Sequence, residues 1–114
     1  MDQLHATALF RIESGKMEEF KNRAAACMAV VKEKDRGTLQ YNWYYSPERS
    51  ECMVREVYRD SDSVLEHAAN LGPLLGSLLE ISTIKLQVCG NPSAELRAAF
   101  AGMDITYYSF DAGL

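Results

Sequence analysis

Two histidines, His5 and His67, are the side chains of this chain whose ordinary pKa, about 6.5, lies near neutral pH. His67 belongs to a stretch, Thr38 to His67, that also carries Tyr41, Trp43, Glu56 and Tyr58. An imidazole placed at a cavity can take the proton of a phenolic hydroxyl. A carboxylate among apolar strand neighbours is costly unless it is paired. Glu56 therefore reads as a group that orients His67 or a tyrosine, or as a base in its own right. Tyr41, Trp43 and Tyr58 can line an aromatic cavity and hydrogen-bond a planar ligand. His67 and Glu56 are the catalytic candidates, and Tyr41, Trp43 and Tyr58 the substrate-binding candidates. The same residues also fit a structural role: a histidine fixing a helix on a sheet, a paired carboxylate, and an aromatic stripe in a core. His5 lies on the mixed side of its strand and reads as a surface or interface residue. The two histidines lack the spacing of a metal pair, and no metal site is expected.

Those residues need elements to position them. Leu4 to Ile12 alternates, with Leu4, Ala6, Ala8, Phe10 and Ile12 on the side that should meet helices. Lys16 to Lys34 repeats apolar residues every three or four positions, which predicts a helix. Gly37 reads as its left-handed terminator. Thr38 to Tyr45 and Glu51 to Arg59 read as strands, and the turn between them makes an antiparallel hairpin. Asp60 or Ser61 should cap the next helix, which carries Val64, Leu65, Ala68 and Leu71. Gly72-Pro73 interrupts it and starts a short helix bearing Leu74, Leu75, Leu78 and Leu79. Ser82 to Gly90 is a further strand. Asn91-Pro92 opens a helix through Ala101, and Ile105 to Phe110 is a last β-like run that extends a sheet edge or reaches across a dimer.

The order β-α-β-β-α-β predicts an α+β, ferredoxin-like arrangement: an antiparallel sheet with helices on one face. A single domain over residues 1–114 is expected, with a core of about 4–90 and a C-terminal extension, 91–114. The helix-free face would carry Leu9, Tyr44, Met53 and Val57, too apolar to leave in water. A second copy covering it gives a two-fold homodimer.

Composition excludes several classes. A net charge of −4 without a basic run argues against nucleic acid. No apolar stretch is long enough to span a bilayer, and the first residues lack signal-peptide character, so a cytoplasmic location is expected. The three cysteines form no C-x-x-C pair and read as buried thiols. No phosphate loop or nucleophile elbow is present.

The residues Gly37-Thr38-Leu39-Gln40-Tyr41, Arg55-Glu56-Val57-Tyr58-Arg59-Asp60 and Leu65-Glu66-His67 resemble the antibiotic biosynthesis monooxygenase (ABM) domain family over roughly residues 4 to 90. The matching positions are Gly37, Tyr41, Glu56, Tyr58, Asp60 and His67, with Tyr58 standing where the family usually has tryptophan. The resemblance implies a dimeric α+β barrel. It also implies small oxygenases that need no metal or flavin and oxidise quinols or polyketide-derived aromatics. The family's haem-degrading branch relies on an Asn, a Trp and a His. Their positions here fall at Ala8, at His67 and within Gly72 to Gly76, so the resemblance implies no haem degradation. The expected function is a cofactor-independent monooxygenase on a quinol or hydroxylated aromatic, with His67 as base. The rival is a non-catalytic homodimer of the same fold that binds a small molecule or acts as an interaction module.

Overall fold

The computed structural model describes residues 2–114. Nine elements follow one another: β1 (Leu4–Ile12), α1 (Met17–Lys34), β2 (Thr38–Ser46), β3 (Glu51–Tyr58), α2 (Ser61–Leu71), α3 (Pro73–Leu79), β4 (Ser82–Cys89), α4 (Ala94–Ala99) and β5 (Ile105–Tyr108). The strands form one sheet in the order β2-β3-β1-β4-β5. The first four strands pair antiparallel, which is the ferredoxin-like pattern, and β5 adds parallel to β4. The C-terminal run therefore extends the chain's own sheet.

Period decides the faces. On β1, Leu4, Ala8, Phe10 and Ile12 are buried, while His5 and Arg11 are exposed. On α1, Phe20, Ala24, Cys27 and Val31 make one buried stripe against the sheet. Cross-strand rows on the helix side run Trp43–Val54–Ala8–Leu86 and Tyr41–Glu56–Ala6–Val88. Both rows have alanine on the central strand. Larger neighbours and the overlying helices leave a space above those alanines.

Between Thr38 and Gln40 the register of β2 against β3 shifts by one residue, with Thr38 opposite Tyr58 and Gln40 opposite Val57. This bulge throws Leu39 outward, where it is exposed.

Several expectations need correction. Gly37 does not adopt a left-handed conformation, and α1 ends at Asp35, whose N–H bonds the Val31 carbonyl at 3.1 Å. Gly37 is required for room instead: a Cβ there would lie 1.9 Å from Ser63 Oγ and 2.5 Å from Ser63 Cβ. The helix expected from Asn91-Pro92 through Ala101 is shorter, Ala94–Ala99, because the Ser93 hydroxyl accepts from Leu96 N–H and starts it later. The last strand ends at Tyr108, before Phe110. Cys27 and Cys52 are buried as expected. Cys89 is exposed, because it points to the helix-free face beside His5.

That face carries the cross-strand row Tyr44–Met53–Leu9, with Tyr44 53% and Met53 39% exposed. Among the described residues no helix is long and apolar enough to cross a membrane.

Candidate active site

Asp60 caps α2, accepting from Ser63 N–H at 2.8 Å and from the Ser63 hydroxyl at 2.7 Å. This fixes the start of the helix and its rotation. Ser63, His67 and Leu71, four apart, then form its buried stripe. His67 is only 7% exposed, and its ring sits 5.0 Å from that of Tyr41 and 5.3 Å from that of Tyr58.

A buried imidazole needs a partner for its N–H. Asp35 supplies it: His67 Nδ1 lies 2.7 Å from Asp35 Oδ2. Asp35 also accepts from the Thr38 hydroxyl at 2.6 Å and from Asn70 Nδ2 at 2.8 Å. Its side chain is 2% exposed. Burial pushes its carboxyl up, but the bonds from Thr38, Asn70 and His67 outweigh burial and hold it below the usual range. An ionised carboxylate only accepts, so the Nδ1 proton is fixed toward Asp35. Nε2 is left with its lone pair on the opposite side of the ring, 4.0 Å from Glu56 Oε1.

Glu56 accepts a hydrogen bond from the Tyr58 hydroxyl. Burial raises its pKa above the ordinary carboxylate value, and the Asp35 charge adds to that. His67 and the Tyr58 bond pull the other way without cancelling the rise. Burial, helped by the Glu56 charge, also pushes the Tyr58 and Tyr41 hydroxyls up, so both stay neutral near pH 7.

These groups border a cavity between the sheet and helices α2, α3 and α4, with about 700 Å³ free of protein atoms counting its open mouth. Ala6 and Ala8 form its floor. Tyr41, Trp43, Glu56, Tyr58 and His67 all line it, so the structure brings the five candidates to one space. Trp43 stacks on Phe10 at 6.2 Å, and its buried Nε1–H has no hydrogen-bond partner among the described residues. His5 lies apart, on the helix-free face, 3.2 Å from the Gln3 side chain. Among the described residues no three His, Cys, Asp or Glu side chains are grouped to hold a metal ion.

Sequence reasoning missed Asp35. A signal existed. Lys34-Asp35-Arg36 puts an acid at the C-terminal end of α1, where the helix dipole favours cations. An acid there needs a reason, and His67 is that reason.

The fold has counterparts among solved structures. The chain is similar in structure to MupZ from Pseudomonas fluorescens, with a TM-score of 0.88 and 22% identity over 100% of this chain and 94% of that one. It is similar to SnoaB, a cofactor-independent oxygenase from Streptomyces nogalater, with a TM-score of 0.68 and 18% identity over 82% of this chain and 97% of that one. A conserved protein from Methanosarcina mazei matches with a TM-score of 0.70 and 17% identity, covering 82% and 95%. At such identities these likenesses establish the fold alone. No curated protein matches the chain in sequence. The family model for antibiotic biosynthesis monooxygenase matches residues 4–71, from β1 through the end of α2, and so spans more than half of the chain and both members of the Asp35–His67 pair. The chain belongs to the antibiotic biosynthesis monooxygenase family.

Proposed function

We propose that this protein is a cofactor-independent monooxygenase acting on a quinol or hydroxylated aromatic, and that it works as a homodimer. The observation that carries the reading is the buried Asp35–His67 pair at the wall of an apolar cavity. Asp35 orients the ring and stabilises the imidazolium that forms when Nε2 takes a proton. Nε2 is the base for the substrate hydroxyl. The resulting phenolate is electron-rich and passes an electron to oxygen. The substrate itself supplies the electrons and protons that turn the second oxygen atom into water. The protein's task is to deprotonate the substrate and keep water away.

The remaining candidates fit around that step. The unpartnered Trp43 Nε1–H is a donor available to a substrate oxygen. Tyr41 packs edge-on against both Trp43 and His67, which holds the two rings in place. Glu56, when ionised, favours the imidazolium and holds Tyr58 through its hydroxyl. Dimerisation would cover the Tyr44–Met53–Leu9 row in a barrel of two sheets.

The test is oxygen uptake with a panel of hydroquinones and anthrone-type phenols, comparing the wild type with His67→Ala. The reading expects uptake with at least one substrate class and about a hundredfold loss or more in the variant. No uptake with any member would favour a non-catalytic binder, and equal uptake in the variant would remove His67 from the mechanism.

A further inference from the structure

The cavity is divided by chemistry. Every lining side chain with a polar atom, Tyr41, Trp43, Glu56, Tyr58 and His67, comes from β2, β3 or α2. The opposite end is built from α3, β4 and the elements after residue 90, through Leu75, Leu86, Leu96, Phe100, Met103 and Ile105. None of these side chains carries an N–H or O–H donor or an oxygen acceptor, and the Met103 thioether accepts only weakly. A polar substituent placed there would lose its water without replacement.

The length is set by the sheet. Glu56 is on β3 and Ile105 on β5, three strand intervals away in the order β3-β1-β4-β5. At about 4.8 Å per interval the cavity floor runs on the order of 14 Å. A single ring beside His67 would leave the far half empty.

The apolar side of the cavity is partly open. Val88 on β4 is buried, whereas Ile84 and Leu86 on the same helix-facing side of this interior strand are only half-buried. The helical cover is therefore incomplete over Ile84 and Leu86, between Leu75 of α3 and the Phe100–Met103 segment. A ligand entering there leads with its polar end toward His67 and leaves its apolar end at the mouth.

We propose that the site takes an elongated amphiphile, an oxygen-bearing head seated among Tyr41, Trp43, Glu56 and His67 and an aliphatic body running toward Ile105. The segment after residue 90, through Leu96, Phe100, Met103 and Ile105, sets the length accepted. This deepens the preceding reading in that it places the substrate in the same cavity, but it does not depend on oxygen chemistry.

Trp43 is the only tryptophan of the chain, so its fluorescence reports on the cavity. The probes are phenol and a series of 4-alkylphenols up to 4-octylphenol, each kept below its aggregation concentration. Affinity should rise about fourfold per added methylene until the cavity is filled. Leu86→Phe and Ile105→Phe, on different strands, narrow the apolar end. Either one that folds should weaken 4-octylphenol about tenfold or more and leave phenol within about twofold. Equal affinity across the series would overturn the proposal, as would a chain-length gain that survives both variants. Oxygen uptake measured on hydroquinones carrying the same series of alkyl chains separates the two readings. Chain-dependent binding without uptake supports this proposal and removes the oxygenase. Uptake with short quinols and no chain dependence does the reverse.

Discussion

Asp35 and His67 are 32 residues apart in sequence, and their side chains meet at 2.7 Å. The contact ties the end of α1 to α2 across the top of the β2–β3 hairpin. Thr38 and Asn70 complete the ring of donors around the carboxylate. Three side chains, Asp35, Thr38 and Asn70, thus settle which nitrogen of the His67 imidazole carries the proton.

Asp35→Asn should therefore damage chemistry more than structure. An asparagine can turn its NH₂ toward Nδ1, which moves the ring proton to Nε2 and removes the base. We expect a loss of about 10²–10⁴ in kcat with KM little changed, and a stability loss of about 1–3 kcal/mol from the disturbed donors. Steady-state oxygen uptake and urea denaturation measure the two; a larger effect on KM than on kcat would count against the orienting role.

Glu56 and Asp35 should tilt stability in opposite directions with pH. The folded-state pKa of Glu56 is raised by burial, so stability falls as pH rises from the unfolded value, about 4.3, through the folded one. Glu56→Gln removes that penalty and keeps an acceptor for Tyr58, so its stability gain over wild type should be larger at pH 8 than at pH 5. Asp35 has the opposite sign. Its folded-state pKa is depressed, so its contribution is present above about 3.9 and is lost as pH falls through the folded value. Denaturant midpoints across pH 2–8 for each variant would show it; parallel curves for wild type and Glu56→Gln would refute the burial penalty.

Gly37→Ala tests close approach. The added Cβ would overlap the buried Ser63 side chain, so α2 must shift, at a cost of about 1–3 kcal/mol. Ser63→Gly removes both clashing atoms. The double variant should then be more stable than the sum of the two single effects predicts, and strict additivity in a thermal denaturation cycle would argue that the contact is unimportant.

The helix-free sheet face gives the oligomer prediction. Tyr44 and Met53 are cross-strand neighbours in its apolar row. Tyr44→Lys with Met53→Lys places two charges where a second sheet would pack. Sedimentation should show a dimer for the wild type and a monomer for the double variant, with little loss of secondary structure. A wild-type monomer would refute the homodimer.

The elements were legible because the signals were local. Alternation on β1, the α1 stripe, the Asp60 cap and the Gly72-Pro73 break each act within a few residues. The Tyr41, Trp43, Glu56 and Tyr58 faces followed from strand parity, which is why the candidate cavity could be drawn before it was seen. Asp35 escaped because its meaning depends on His67, a long-range partner that periodicity does not report. Gly37 was read as a dihedral requirement when it was a steric one, since a glycine's reason lies in what packs over it. Cys89 was misread because β4 has one open face. The cavity itself depended on alanines whose significance appears only when their cross-strand neighbours are known.

The bulge at Leu39 has one more consequence. Thr38 and Tyr41 differ by an odd number of positions, yet both face the helices, Thr38 toward Asp35 and Tyr41 toward His67. In an unbroken strand only one of them could do so. The bulge works as a phase shift that lets a single strand serve both the carboxylate and the aromatic wall. Deleting Leu39 would place Thr38 and Tyr41 two positions apart, the spacing that keeps both on the helix side of a regular strand, so the bulge is needed only because the extra residue is there. Substitution at that exposed position leaves both contacts in place, whereas one further residue inserted between Gly37 and Tyr41 would turn one of the two side chains away from the helices.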